Sequence, residues 1–271
     1  IVFRMLPKEI AAEVFACLDI EKQEKIITSI TDKEIEYIIE ELYVDDAVDM
    51  LEELPANVVK RVMRNAKSDT RKLINQFLTY PENSAGSIMT AEFVDLKKNM
   101  TVRESFERIR KIGEDKETIY TCYVTAADRK LEGVVTVKEL LLSPYETVIE
   151  QLMDKNLIFA HTTDDQEDVI ELFSKYDLLS IPVVDKEDRL VGIITVDDII
   201  DVMEQEATED FEKMAAITPS EKPYLKTGVF TLAKNRVIWL MLLMISATFT
   251  GDILMRFEEA FSVVPLLVAL M

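Results

Sequence analysis

From Pro7 to Tyr80 apolar residues recur three and four apart in short blocks, as in Ile10-Val14-Leu18 and Val58-Val62, the spacing of one buried helix face. Each block predicts a helix of about two to three turns. Thr31 or Asp32 is placed to cap the block that runs to Leu42, and Asp45 to cap the one that runs to Leu54. Pro55 falls where a first-turn proline is tolerated, at the head of the next helix. Short helices of similar size joined by short polar links predict a small superhelical stack with no fixed period evident.

The pattern changes after Ser87. Met89-Thr-Ala-Glu-Phe-Val-Asp-Leu aligns with Met153-Asp-Lys-Asn-Leu-Ile-Phe-Ala, and Leu131-Glu-Gly-Val-Val-Thr-Val-Lys-Glu-Leu-Leu with Leu190-Val-Gly-Ile-Ile-Thr-Val-Asp-Asp-Ile-Ile. One module is therefore written twice. Its second copy predicts an extended run at Leu157–Phe159, a helix over Gln166–Lys175, a strand at Ser180–Val184 and a turn through Lys186–Arg189. A strand at Val191–Thr195 and a helix from Val196 complete it. Strands and helices alternating at this length make a compact α/β module.

From Val237 to Met255 nineteen residues carry Asp252 as their only charge, close to what a membrane-spanning helix needs. Lys226, Lys234 and Arg236 precede the run and Trp239 sits near its start, which places everything N-terminal to it in the cytoplasm. A second apolar segment begins at Phe261 and runs to Met271. The stretch from Pro219 to Lys234 reads as a helical connector into the span. The chain opens at Ile1 without a signal-like apolar run and reads as an excised piece.

Composition narrows the function. A net charge of −20 and a pI near 4.5 argue against nucleic acid, whose phosphates need clustered Lys and Arg. Cations or a basic partner are the natural ligands. Cys17, Cys122 and the single histidine, His161, form no Cys/His metal cluster or disulfide framework, and His161 reads as a surface or packing residue. No Gly-rich phosphate loop and no nucleophile–base set marks an enzyme. The acidity is concentrated between Asp164 and Lys213, where seventeen acidic residues face four basic ones, a net charge of −13. Asp198 and Asp201 are three apart and Asp45 and Asp49 four apart, so each pair shares a helix face where like charges repel. A hard, oxygen-seeking cation such as Mg²⁺ relieves that repulsion. A solvated acidic face is the plainer alternative.

The duplicated stretch resembles a pair of CBS domains, on Ser180-Ile-Pro-Val-Val-Asp, Leu190-Val-Gly-Ile-Ile-Thr and Thr195-x-x-Asp198. In many such pairs the threonine and aspartate of the last motif hold an adenosine nucleotide, which implies Ile181, Pro182, Thr195 and Asp198 as an ATP-type site. The first copy departs from that pattern, with Thr136 followed by Glu139 and no Ile-Pro.

The whole chain is similar to the MgtE family of magnesium channels. The carrying motifs are Asp45-Asp-x-x-x-Asp49-x-Leu-Glu-Glu-Leu-Pro55, Tyr80-Pro-Glu-Asn-Ser-Ala-Gly-Ser-Ile-Met-Thr90, Thr163-Asp-Asp-Gln-Glu167, Tyr176-Asp177 and Thr195-Val-Asp-Asp through Glu206-Ala-Thr-Glu-Asp210. The resemblance implies a multidomain protein: a helical superhelical domain over 1–86, CBS domains over 87–150 and 151–207, a linking helix over 208–234 and the start of a membrane domain over 235–271. It implies a homodimer joined through the CBS pair, multi-pass in the cell membrane when complete. Mg²⁺ would be held by Asp45, Asp49, Asp165, Glu167, Asp177, Asp198, Asp201, Glu206, Glu209 and Asp210, closing the pore. An adenine-nucleotide sensor is the competing class.

Overall fold

Six helices of nine or ten residues fill the first eighty positions. They are α1 (Lys8–Ala16), α2 (Ile20–Ser29), α3 (Asp32–Glu41), α4 (Val44–Glu53), α5 (Ala56–Asn65) and α6 (Ser68–Phe77). This is a computed structural model describing residues 3–214 and 228–256, and the chain forms two compact units, Ile1–Val202 and Met203–Met271.

The helices start every twelve residues. The period is visible in the links: Ile30, Leu42, Leu54 and Ala66 each leave a helix in extended conformation and turn their side chains into or against the core. With links of three residues after α1 and two thereafter, each helix packs on the one two ahead: α1 on α3, α2 on α4, α3 on α5, α4 on α6. Helices this short gain their stability from such packing.

Thr31 caps α3 as expected, in a capping box with Glu34, whose carboxylate accepts the Thr31 N–H at 2.7 Å. Two expectations are corrected. The residue before α4 is Tyr43, so Asp45 lies inside the first turn and its carboxylate caps nothing. Pro55 stands at the cap position of α5 rather than within its first turn.

The first module contains β1 (Asp95–Leu96), α7 (Val102–Ile112), β2 (Thr121–Thr125), β3 (Leu131–Thr136) and α8 (Val137–Leu142). The second contains β4 (Ala160–His161), α9 (Gln166–Tyr176), β5 (Ser180–Val184), β6 (Leu190–Thr195) and α10 (Val196–Met214). Each sheet has a short parallel edge, an antiparallel hairpin and a bulge at the same place, Val124/Thr125 and Val183/Val184. The extended run expected at Leu157–Phe159 is displaced: the strand forms at Ala160–His161, where it pairs with Val183 and Val184. α9 extends to Tyr176, and β6 starts at Leu190, which pairs with Val184.

The two modules exchange their leading residues. Thr90 trades backbone hydrogen bonds with Ile193 of β6 at 2.7 and 2.9 Å, and Asp154 trades them with Val134 of β3 at 2.8 and 3.0 Å. Glycine makes the exchange possible. A Cβ on Gly192 would lie 2.7 Å from the Met89 sulfur, and one on Gly133 would lie 2.8 Å from the Met153 sulfur. Between the sheets, fully buried Tyr123 shares a hydrogen bond with Ser180 at 2.8 Å, so its hydroxyl is satisfied in an apolar setting.

In the second unit α11 (Val229–Arg256) includes an eighteen-residue window, Trp239–Arg256, of mean hydropathy 1.3 with nothing packed over it. It is long and apolar enough to cross a membrane. Asp252, the charge inside it, pairs with Arg256 one turn on at 3.3 Å. The connector from Pro219 lies outside the described residues as far as Thr227, as do Lys226 and the apolar segment from Phe261. From Val229 the connector and the span are one helix.

Candidate functional site: an acidic seam

One continuous apolar core runs from the helical domain through Phe77, Ala85 and Met89 into Val169, Phe173, Ile181 and Ile194 of the second module. Backbone bonds fasten the same joint: Ala85 N–H donates to the Asp164 carbonyl at 2.8 Å, and Gly86 N–H to the Thr162 carbonyl at 3.0 Å.

Away from this joint the contact is made of carboxylates. The amphipathic face of α4 buries Val44, Val48 and Leu51, which turns Asp45, Asp46 and Asp49 out of the solenoid. Glu92 stands ahead of β1 and Glu117 ahead of β2, held together by the Glu117 N–H to Glu92 carbonyl bond at 2.9 Å. Asp198 completes the group from the first turn of α10, with Asp197 and Asp201 acting on it.

Burial, then the neighbouring negative charges, drive these groups away from ionisation. Burial pushes the Asp45 carboxyl up to about 9, with Asp198, Asp46 and Glu117 adding repulsion. Asp46 is pushed to about 6 by burial, Asp198 and Glu92. Glu117 is pushed to about 7 by burial, Asp198, Asp197, Asp46 and Glu92. Asp49, pushed to about 7 by burial, Glu52, Asp46 and Asp198, stands at the exposed rim, where water screens the repulsion. Asp198 is also raised, first by burial. Thr195, whose hydroxyl donates to its carboxylate, works the other way and fixes its orientation.

Asp45 Oδ1 and Glu117 Oε2 are buried without a hydrogen-bond partner. Buried acceptors in that condition are costly unless something positive meets them. An all-oxygen, anionic donor set suits a hard divalent cation. Among the described residues, however, no three His, Cys, Asp or Glu side chains converge closely enough to hold a metal. The seam is a concentration of negative potential, not a finished coordination cage.

Of the residues expected as ligands, the fold gathers Asp45, Asp49, Asp198 and Asp201 here. Asp165 and Asp177 are placed at the two ends of α9. Asp165 caps its start and accepts the Glu167 N–H at 2.9 Å, and Asp177 ends it in left-handed conformation at φ 50°. Glu206, Glu209 and Asp210 belong to the second unit, where Glu209 pairs with Lys213 at 2.6 Å. Asp46, Glu92 and Glu117 are the members that sequence reasoning missed.

Of the positions expected to hold a nucleotide, Ile181 and Pro182 are buried in the middle strand β5, and Thr195 is buried at the end of β6. In the first module Thr136 and Glu139 close a capping box at 2.7 and 2.8 Å, which occupies the Glu139 carboxylate. A separate cavity of about 280 Å³ opens at Phe93, Asp95, Lys116, Thr125, Arg129 and Leu190, with residues from both modules. Its aromatic ring and two cations are a chemistry that the sequence motifs did not mark.

A helical solenoid, two interlocked α/β modules and a helix of membrane-spanning length together define a CBS-pair protein. The family model for the MgtE intracellular N domain matches residues 1–83, and that for the CBS domain matches 85–145 and 149–205. The magnesium transporter MgtE of Thermus thermophilus is 36% identical over 268 residues, covering 97% of this chain, and this chain spans 59% of its length. A crystal structure of the soluble part of a magnesium transporter superposes with a TM-score of 0.73 at 33% identity, covering 76% of this chain and 81% of that one. The cytosolic domain of the Mg²⁺ channel MgtE in complex with ATP superposes with a TM-score of 0.70 at 36% identity, covering 74% and 82%. The chain belongs to the MgtE family.

Proposed function

We propose that this chain is the magnesium-sensing gate of a magnesium channel or transporter, regulatory rather than catalytic. It would sit in the cell membrane through α11, with the preceding residues in the cytoplasm and a second copy joined through the CBS pair. The observation that carries the reading is the acidic seam: carboxylates from α4, from the first module and from α10, brought together with two buried oxygens unpaired. Without a cation the seam repels itself and the helical domain pivots on the apolar joint at Phe77 and Met89. With Mg²⁺ the carboxylates of Asp45, Asp49 and Asp198 draw in, and the domain docks. The ion favours the docked form because only there do several carboxylates meet it at once. Glu206, Glu209 and Asp210 would extend the response along α10 toward the membrane segment, and Asp165, Glu167 and Asp177 would add to it through α9.

Neutron scattering of the full chain in contrast-matched detergent tests this. Millimolar Mg²⁺ should shrink the radius of gyration, and an unchanged radius defeats the proposal.

A second reading, adenine-nucleotide sensing, is favoured by the cavity at Phe93, Lys116 and Arg129 and by the ATP-bound relative. The aromatic ring suits a base and the cations suit phosphates. Calorimetry with ATP in the absence of Mg²⁺ separates the two readings: heat of binding without any magnesium response supports the second.

A further inference from the structure

Within the helical domain of this acidic chain one stretch is strongly basic. Residues 57–77 hold six cations, Lys60, Arg61, Arg64, Lys67, Arg71 and Lys72, against a single acid, Asp69. They fall on α5 and α6. Lys60 and Arg64 lie one turn apart, and Lys60, Arg64, Lys67, Arg71 and Lys72 are all exposed. Only part of this charge is neutralised. Asp32 is shared between Arg61 at 2.8 Å and Arg64 at 3.3 Å, Glu40 meets Lys67 at 3.3 Å, and the exposed Asp69 meets Lys72 at 3.6 Å. Arg71 donates to the Ala66 and Arg64 carbonyls at 2.8 and 3.3 Å, so it closes the end of α5 and keeps its full charge.

The surface has charge and no anchor. None of the exposed large apolar residues falls within 57–77, whereas specific protein interfaces centre on buried aromatic or aliphatic side chains. An anionic lipid surface needs no such anchor: each Lys or Arg near it strengthens association by about fivefold. A bilayer is also at hand, because the same chain carries the membrane-length helix α11. We infer that the α5–α6 face is a docking surface for anionic phospholipid headgroups.

The test uses the full chain in lipid nanodiscs, on a Cys17→Ser background with Ser68→Cys carrying a fluorophore. The quencher is a spin label on the lipid headgroup. Discs rich in phosphatidylglycerol should quench the probe about threefold more than discs of phosphatidylcholine, and salt should remove the difference. Lys60→Glu with Lys72→Glu should abolish it, while Lys186→Glu on the second module should not. Equal quenching in both lipids overturns the inference. So does salt-sensitive energy transfer between copies that ignores lipid charge, which would assign the face to the acidic stretch of a second copy. The lipid and salt comparisons use the unaltered basic residues and do not depend on the folding of the charge reversals.

Discussion

The helical domain meets the CBS pair in two ways that are chemically opposite. At Phe77, Ala85 and Met89 the contact is apolar, continuous with the core and fastened by backbone hydrogen bonds. At α4 it is a meeting of carboxylates with none of that glue. In the gate proposed above, the first contact would serve as the hinge and the second as the latch. A regulator needs both, because a domain held by carboxylates alone would drift away and one held by apolar contacts alone would not respond.

The comparison can be broken at its strong end. Phe77→Ala should cost about 3–5 kcal/mol of unfolding free energy, from lost transfer and the cavity left behind, equally with and without Mg²⁺ in urea denaturation. A magnesium-dependent loss would mean that the hinge and the latch are one structure.

The next effect is proton-linked. Asp45, Asp46, Asp49 and Glu117 are held above their ordinary values where α4 meets the CBS pair, so the docked form binds more protons than the separated one. Docking should therefore be favoured at low pH and weaken as pH rises through about 6 to 9, by up to about tenfold per pH unit for each proton taken up. With Mg²⁺ chelated, the scattering radius should grow from pH 5.5 to 8.5, and a radius that shrinks over that range contradicts the latch.

Asp45→Asn sharpens the same point at one residue. It removes a carboxyl that must take up a proton on docking while keeping the shape, so the metal-free chain should dock more readily, and Mg²⁺ affinity by calorimetry should fall about tenfold. The smallest effect belongs to the first module. Thr136→Ala deletes a helix cap and should cost about 1 kcal/mol in thermal unfolding, with the Mg²⁺ response untouched. Thr195→Ala, by contrast, should weaken the response, because the Thr195 hydroxyl fixes the Asp198 carboxylate.

Much of this was legible in the sequence, for definite reasons. The duplication showed because each copy repeats a Met leader and a Leu-x-Gly strand, and those residues prove to be the ones the modules exchange. The solenoid was legible as helices but not as a twelve-residue repeat. Its period is carried by the apolar links Ile30, Leu42, Leu54 and Ala66, which a search for helical faces passes over. Asp45, Asp49 and Asp198 were found because helix spacing pairs them with other acids. Glu92 and Glu117 lie outside the helices, ahead of two different strands that only the folded sheet brings together, so helical spacing does not pick them out. One signal was available: the first copy reads Met89-Thr-Ala-Glu92 where the second reads Met153-Asp-Lys-Asn156. Asp165 and Asp177 were legible as acids, but their places at the two ends of α9 were not.

The exchange of leaders between the modules redraws the unit of inheritance. Thr90 completes the sheet of the second module and Asp154 completes that of the first, so a cut between the two copies leaves two pieces that each lack a strand edge and hold the other's. Losing either copy alone would leave the other without the bridge its partner supplies. What repeats in the sequence as two is, in heredity as in folding, one indivisible part.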